Sequence, residues 1–252
     1  MFGLGQDSSI QFFLVFLRVG AAIAILPVVG ERSVPNRIRL VMAFVFTAVV
    51  MPAVTNQFEQ PSNLGWGSAK YMVTETITGL MLGLSLRMFV FALQIAGSIA
   101  AQSTSLSQLF GTAAVDPQPA IGHVFVISGL ALAVTLGLHL KIAELLIGSY
   151  QLFQPGSLIP AIDLSPWGVT RFAHAFGLAF SLAAPFMIAS LIYNIALGAI
   201  NRAMPQLMVS FVGAPAITAG GLVLLFVVAP LILSAWWTSL DTYMQAPFGT
   251  SP

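Results

Sequence analysis

Long apolar runs with charges inside them make up most of this chain, and they decide what it can fold into. Only 7% of its 252 residues are charged, against 58% hydrophobic. A soluble domain carries about a quarter charged residues. A chain this apolar cannot cover its own surface in water, so its solvent is lipid. Charges kept inside lipid-length segments are costly, and they face protein or a water-filled path.

Six runs can be followed along the sequence. The first, Ile10 to Val29, is about one bilayer thickness of helix at ~1.5 Å per residue. Arg18 sits near its middle and Pro27 near its end. A polar hinge, Gly30 to Arg39, holds Glu31, Arg32, Arg37 and Arg39. The second run, Leu40 to Val54, is short for a full crossing, and a polar loop then leads to Lys70. The third, Tyr71 to Ala101, carries Glu75 and Arg87. It is too long for one perpendicular crossing, so it tilts or projects beyond the hydrocarbon. Gln102 to Pro119 reads as a polar loop of small residues. The fourth run, Ile121 to Tyr150, is again long and holds His139, Lys141 and Glu144. A loop with Pro155, Gly156, Pro160 and Pro166 precedes the fifth run, Phe172 to Ile200. The sixth, Val209 to Trp237, contains Pro215 and Pro230, and the tail from Thr238 carries no signal. No strand-like alternation persists. The expected fold is an all-α integral membrane protein of about six long, partly kinked hydrophobic helices, with residues 1–252 forming a single membrane-embedded domain.

Several function classes are disfavoured. The net charge of +1 offers no basic footprint for nucleic acid, and the absence of cysteine removes thiolate metal sites, disulfides and cysteine nucleophiles. Met1 to Ile10 has no Lys or Arg and carries Asp7, whereas a cleavable signal needs a positive n-region. The first run is therefore expected to be a retained helix. His123, His139 and His174 lie in separate runs, and neither HExxH nor a phosphate-cradling GxxxxGK[ST] occurs. No enzyme, cofactor or metal is expected, and any ATP-driven work would come from another subunit. The positive-inside rule puts the Arg32, Arg37 and Arg39 hinge in the cytoplasm.

Four constellations remain. Glu75, Gly79 and Gly83 share one helical face, and Gly79 to Gly83 is a GxxxG step that lets a second backbone approach closely. The spacing suits internal packing or an intersubunit seam. Arg87 lies about 120° around the helix from Glu75 at ~100° per residue, so the two cannot pair, and each needs a partner elsewhere. Arg18 is likewise unpaired locally. Snorkelling to an interface is the plain alternative for all three, best suited to Glu75 near its helix end. Lys141 and Glu144, at i and i+3, suit a local ion pair, with His139 and Glu144 a less favoured proton relay. Asn194, Gly198 and Asn201 share a face, followed by Arg202, Pro205 and Gln206; this polar cluster reads as structural or as a subunit contact.

The order of these motifs resembles the FliR family of flagellar biosynthesis proteins, related to the T subunit of injectisome export gates. "LRVGAAIAILPVVGERSVPNRIRLVMAFVFTAVVMP" is similar to the family's opening and "ETITGLMLGLSLRMFVFALQIAG" to its long helix. "VDP" at Val115 to Pro117 and "GLHLKIAELLIGSY" follow in order, and "NIALGAINRAMPQL" is the strongest match. The chain departs from the pattern in "AAQSTSLSQLFGTAAVDP", where Thr104 or Ser105 stands in place of a usual glycine. The resemblance implies a non-enzymatic subunit whose helical hairpins build an export gate with P-type and Q-type subunits (FliP, FliQ) and an FlhB-type subunit. Unfolded flagellar proteins would pass through the gate, at the flagellar basal body in the bacterial inner membrane. It also implies a pore plug over Gln102, Ser103, Thr104, Ser105, Leu106, Ser107, Gln108, Leu109, Phe110, Gly111, Asp116 and Pro117. The competing reading is a proton- or ion-coupled small-solute transporter, with Glu75, Arg87, His139 and Glu144 as coupling residues.

Overall fold

The structure is a computed structural model, and it describes residues 2–31, 34–58, 67–104, 120–157, 160–204 and 209–247. Among the described residues there are helices and no strands. They are α1 (Phe2–Ile25), α2 (Asn36–Val54), α3 (Gly67–Ser103), α4 (Ala120–Thr135), α5 (Leu138–Leu152), α6 (Ala161–Ala203) and α7 (Val209–Gln245), with a short 3₁₀ turn, Thr55–Gln57, after α2. Among the described residues, four helices are long and apolar enough to cross a membrane, those over Asn36–Gln57, Ala69–Ser103, Leu164–Ala203 and Pro215–Gln245. The pair α4 and α5 would make a fifth span. The protein is an all-α membrane protein.

Some boundaries differ from the sequence reading, each for a local reason. The fourth run is two helices, broken at Gly137. Its φ of 83° lies in the left-handed region, which glycine adopts without a Cβ penalty and which no α-helix can pass through. Gln102 and Ser103 belong to the last turn of α3 and not to a loop. Thr104 closes that turn, its amide donating to Ala100 O at 3.1 Å. Pro166 lies inside α6, which begins where the Leu164 amide donates to Pro160 O at 3.1 Å. At the other end, α7 runs on to Gln245, so the segment after Thr238 is helix and not tail.

The chain packs as two compact units. The first comprises Met1–Met88, Val134–Arg171 and Asp241–Pro252. Its core begins with a stripe on α1, Leu14, Val15, Val19, Ala22 and Ile23, continued by Leu26 just beyond the helix end, all buried. The spacing is that of one apolar helix face. The glycine step of α3 receives this helix. A Cβ on Gly79 would fall on the Arg18 carbonyl and 2.9 Å from Ala21 Cβ, and one on Gly83 would sit 2.6 Å from Ala22 O. The partner of the GxxxG face is thus α1 of the same chain.

The second unit comprises Phe89–Ala133 and Phe172–Leu240. Phe89, Leu93, Ala96 and Ala100 of α3, Phe125 of α4, Phe186 of α6 and Trp236 of α7 are buried in it. The Trp236 indole, a donor that must find a partner when buried, donates to Phe89 O at 2.9 Å. α3 and α4 approach backbone to backbone at Gly97 and Gly122, where a Cβ on Gly97 would lie 2.6 Å from Gly122 N.

Much of what faces outward is apolar. Val41, Val45 and Val49 on α2, Leu191, Ile192 and Ile195 on α6, and Val223, Phe226 and Val227 on α7 are all exposed, Phe226 by 84%. Such faces are covered by lipid or by other protein.

Candidate functional site, a buried guanidinium node

Arg18 projects from the buried stripe of α1 one helical turn before Ala22, and its side chain is 1% exposed. An isolated charge there would be prohibitive, and the surrounding helices supply the answer. Glu75, 0% exposed, comes from α3 one turn before Gly79. Because the glycines draw α1 and α3 together, the carboxylate meets the guanidinium in a two-pronged pair. Arg18 Nε donates to Glu75 Oε2 at 2.7 Å and Nη2 to Oε1 at 2.9 Å. This fork geometry is the strong form of the arginine–carboxylate bond.

α5 closes the node. Arg18 Nη1 donates to Ser149 Oγ at 3.1 Å, and Nη2 donates again to Phe153 O at 3.0 Å. The Tyr150 ring lies under the guanidinium carbon, 3.7 Å from its centroid, a cation–π contact. Ser149 in turn donates to Leu146 O at 2.7 Å. Beside the Tyr150 ring lies a cavity of about 370 Å³ whose lining includes the amide side chains of Gln11, Asn56, Gln57, Gln151 and Gln154. Chemically the node is a clamp. The Arg18 charge is matched by Glu75 and its N–H groups are directed to protein acceptors, so the node ties α1, α3 and α5 together.

Two further ion pairs belong to the same unit. Arg87 Nη1 donates to Glu31 Oε1 at 2.9 Å, both partly exposed, which joins the hinge to α3. Lys141 pairs with Asp241 of α7. Glu144, which the sequence reading gave to Lys141, is exposed, as is His139. Among the described ion pairs Lys141 is joined to an acid of another helix and not to Glu144. No relay joins His139 to Glu144 in the described contacts.

The remaining sequence-selected residues are dispersed. Asn194, Gly198, Asn201 and Arg202 are exposed on α6. The Asn194 amide is satisfied within its own helix, donating to Ser190 O at 2.8 Å. Pro205 and Gln206 lie outside the described residues. Of the plug residues, Gln102, Ser103 and Thr104 are described, whereas Ser105 to Gly111, Asp116 and Pro117 are not. Thr104 is buried. Its carbonyl accepts from Thr218 Oγ1 at 3.5 Å, and Gly221 makes room for it, since a Cβ there would lie 2.7 Å from Thr104 Cβ.

The sequence reading singled out Arg18 and Glu75 and left each without a partner. It rated snorkelling plausible for Glu75, which is instead fully buried. It missed Ser149, Tyr150, the Phe153 carbonyl and Asp241. One signal was available: two opposite charges set within separate apolar runs, each needing a mate.

The family described as bacterial export proteins, family 1, matches residues 9–243. The flagellar biosynthetic protein FliR of Caulobacter vibrioides is 33% identical over 226 residues, covering 88% of this chain and 90% of that protein. Its namesake in Bacillus subtilis is 30% identical over 237 residues, 88% of this chain and 86% of that one. The Escherichia coli K12 protein is 28% identical over 234 residues, with coverage of 88% and 85%. Matched from its first apolar run to the last turns of α7, the chain belongs to family 1 of the bacterial export proteins.

Proposed function

We propose that this chain is a subunit of the flagellar-type protein export gate in the bacterial inner membrane, part of the pore through which unfolded flagellar proteins leave the cell. The observation that carries the reading is the family match over residues 9–243, together with the flagellar names of relatives that align along nearly all of this chain. The role is structural and not catalytic. Its partners in this proposal are the P-type and Q-type subunits (FliP, FliQ) and the FlhB-type subunit.

Two features of the chain support an assembly role. Asn194, Asn201 and Arg202 stand exposed on a helix whose neighbouring side chains are apolar. Facing lipid they would be costly, whereas facing a partner helix they gain hydrogen bonds. The plug proposal likewise gains an anchor, because Thr104, at the entry to the candidate loop, is fixed by Thr218 and Gly221 of α7. The transporter alternative loses its coupling set. Glu75 is committed to Arg18 and Arg87 to Glu31, and His139 and Glu144 are exposed on α5.

The test is a mild-detergent pull-down of the tagged chain from its native membrane, read by mass spectrometry and native mass. A complex several times the chain mass, containing P-type and Q-type subunits, is expected. A stable lone monomer that binds a small solute would overturn the proposal.

A further inference from the structure

A groove of about 420 Å³ runs between α1 and α2. Phe16, Gly20 and Ala24 of α1 and Ala43 of α2 line its apolar length, and Asn36 and Arg39 stand at the α2 end. The channel exists because small side chains leave it open. A Cβ on Gly20 would have only ordinary contacts, 3.9 Å from Phe16 and 4.0 Å from Ala43. From Phe16 to Ala24 it follows about 12 Å of α1 at ~1.5 Å per residue. The surrounding face of α2, with Leu40, Val41 and Phe44, is itself exposed and apolar.

Positive potential gathers at the α2 end. Arg39 donates through Nη2 to the Glu31 carbonyl, while its Nε is buried with no hydrogen-bond partner among the described residues. Arg37 is exposed beside it. The one acid described at this end, Glu31, has its carboxylate committed to Arg87, so neither Arg37 nor Arg39 is neutralised by it. α2 also begins here, with no side-chain cap and no acid in its first turn. Its unsatisfied amides and dipole favour an anion at that point. An apolar channel that ends in a cationic mouth has the chemistry of a basic lipid pocket between helices.

We propose that this groove binds an anionic phospholipid, one acyl chain lying along Gly20, Ala24 and Ala43 and the phosphate held by Arg39, Asn36 and the start of α2. Arg39 thereby selects the lipid by charge.

The experiment uses the full chain, purified in detergent and stripped of lipid. It is offered dioleoylphosphatidylglycerol and dioleoylphosphatidylcholine in equal amounts, and bound lipid is read by native mass spectrometry. The wild-type chain is expected to retain the anionic lipid at least about fivefold over the zwitterionic one, the factor one basic contact provides. Arg39→Gln brings the ratio to near one. Gly20→Leu, which fills the groove where a Cβ meets no obstacle, lowers retention of both lipids, and circular dichroism confirms that each variant keeps its helices. Equal retention of the two lipids by the wild-type chain would overturn the proposal. So would a preference that survives both substitutions, which would mean that a surface charge effect, or a groove reserved for a partner helix, accounts for the binding.

Discussion

At the scale of single residues, the Arg18–Glu75 pair has two faces. Both charges are desolvated, so the pair as a unit adds little net stability, yet removing one member leaves the other stranded. Glu75→Gln is therefore expected to destabilise the chain by about 3–5 kcal/mol, whereas Arg18→Met with Glu75→Leu recovers most of that loss. Unfolding in detergent of the two singles and the double closes the cycle. A double no more stable than the worse single would mean that the pair does not act as a unit. The individual charges could be found in the sequence because charge inside an apolar run is conspicuous. Their pairing could not, because the fork depends on the rotation of α1 against α3, and spacing along one helix says nothing about the phase of another. Ser149 and Tyr150 were hidden more deeply, since a serine and a tyrosine at a helix end look the same whether they meet water or an arginine.

Among the helices, glycine carries opposite meanings at different places. Gly79 lies against the α1 backbone, while a Cβ on Gly198 of α6 would meet nothing within 4 Å. Gly79→Leu is expected to prevent stable folding of the chain itself, overpacking a site that has no room to give. Gly198→Leu should leave the isolated chain as stable as wild type, and reduce recovery of the larger complex if that face meets a partner. Size-exclusion profiles of both variants, alone and after pull-down, separate the two. Equal behaviour of the two variants as isolated chains would contradict the packing described. The existence and the class of the long helices were legible from the apolar runs. Their breaks were less so. Gly122 and Gly129 stay helical within the fourth apolar run and Gly137 ends α4, a difference set by tertiary packing that composition does not record. Pro166 misled in the other direction, since a helix that begins at Ala161 can absorb a proline in its second turn.

For the whole molecule, the exposed apolar faces and the proposed plug lead to one further experiment. Thr104 is part of the packed end of α3, so a plug deletion should spare it and remove residues 105–114. The complex is then expected to assemble normally while the membrane conducts ions more readily. Conductance equal to wild type in assembled complexes would reject the plug assignment. The guanidinium node, finally, bears on how such a chain is made. Arg18 precedes Glu75 by 57 residues and Ser149 by 131. At about 5–20 residues per second of synthesis, some 3–11 s pass before its acid emerges and longer before α5 does. Throughout that interval α1 carries a cation without its acid, so the Arg18 side chain can settle only once α3 and α5 have been made.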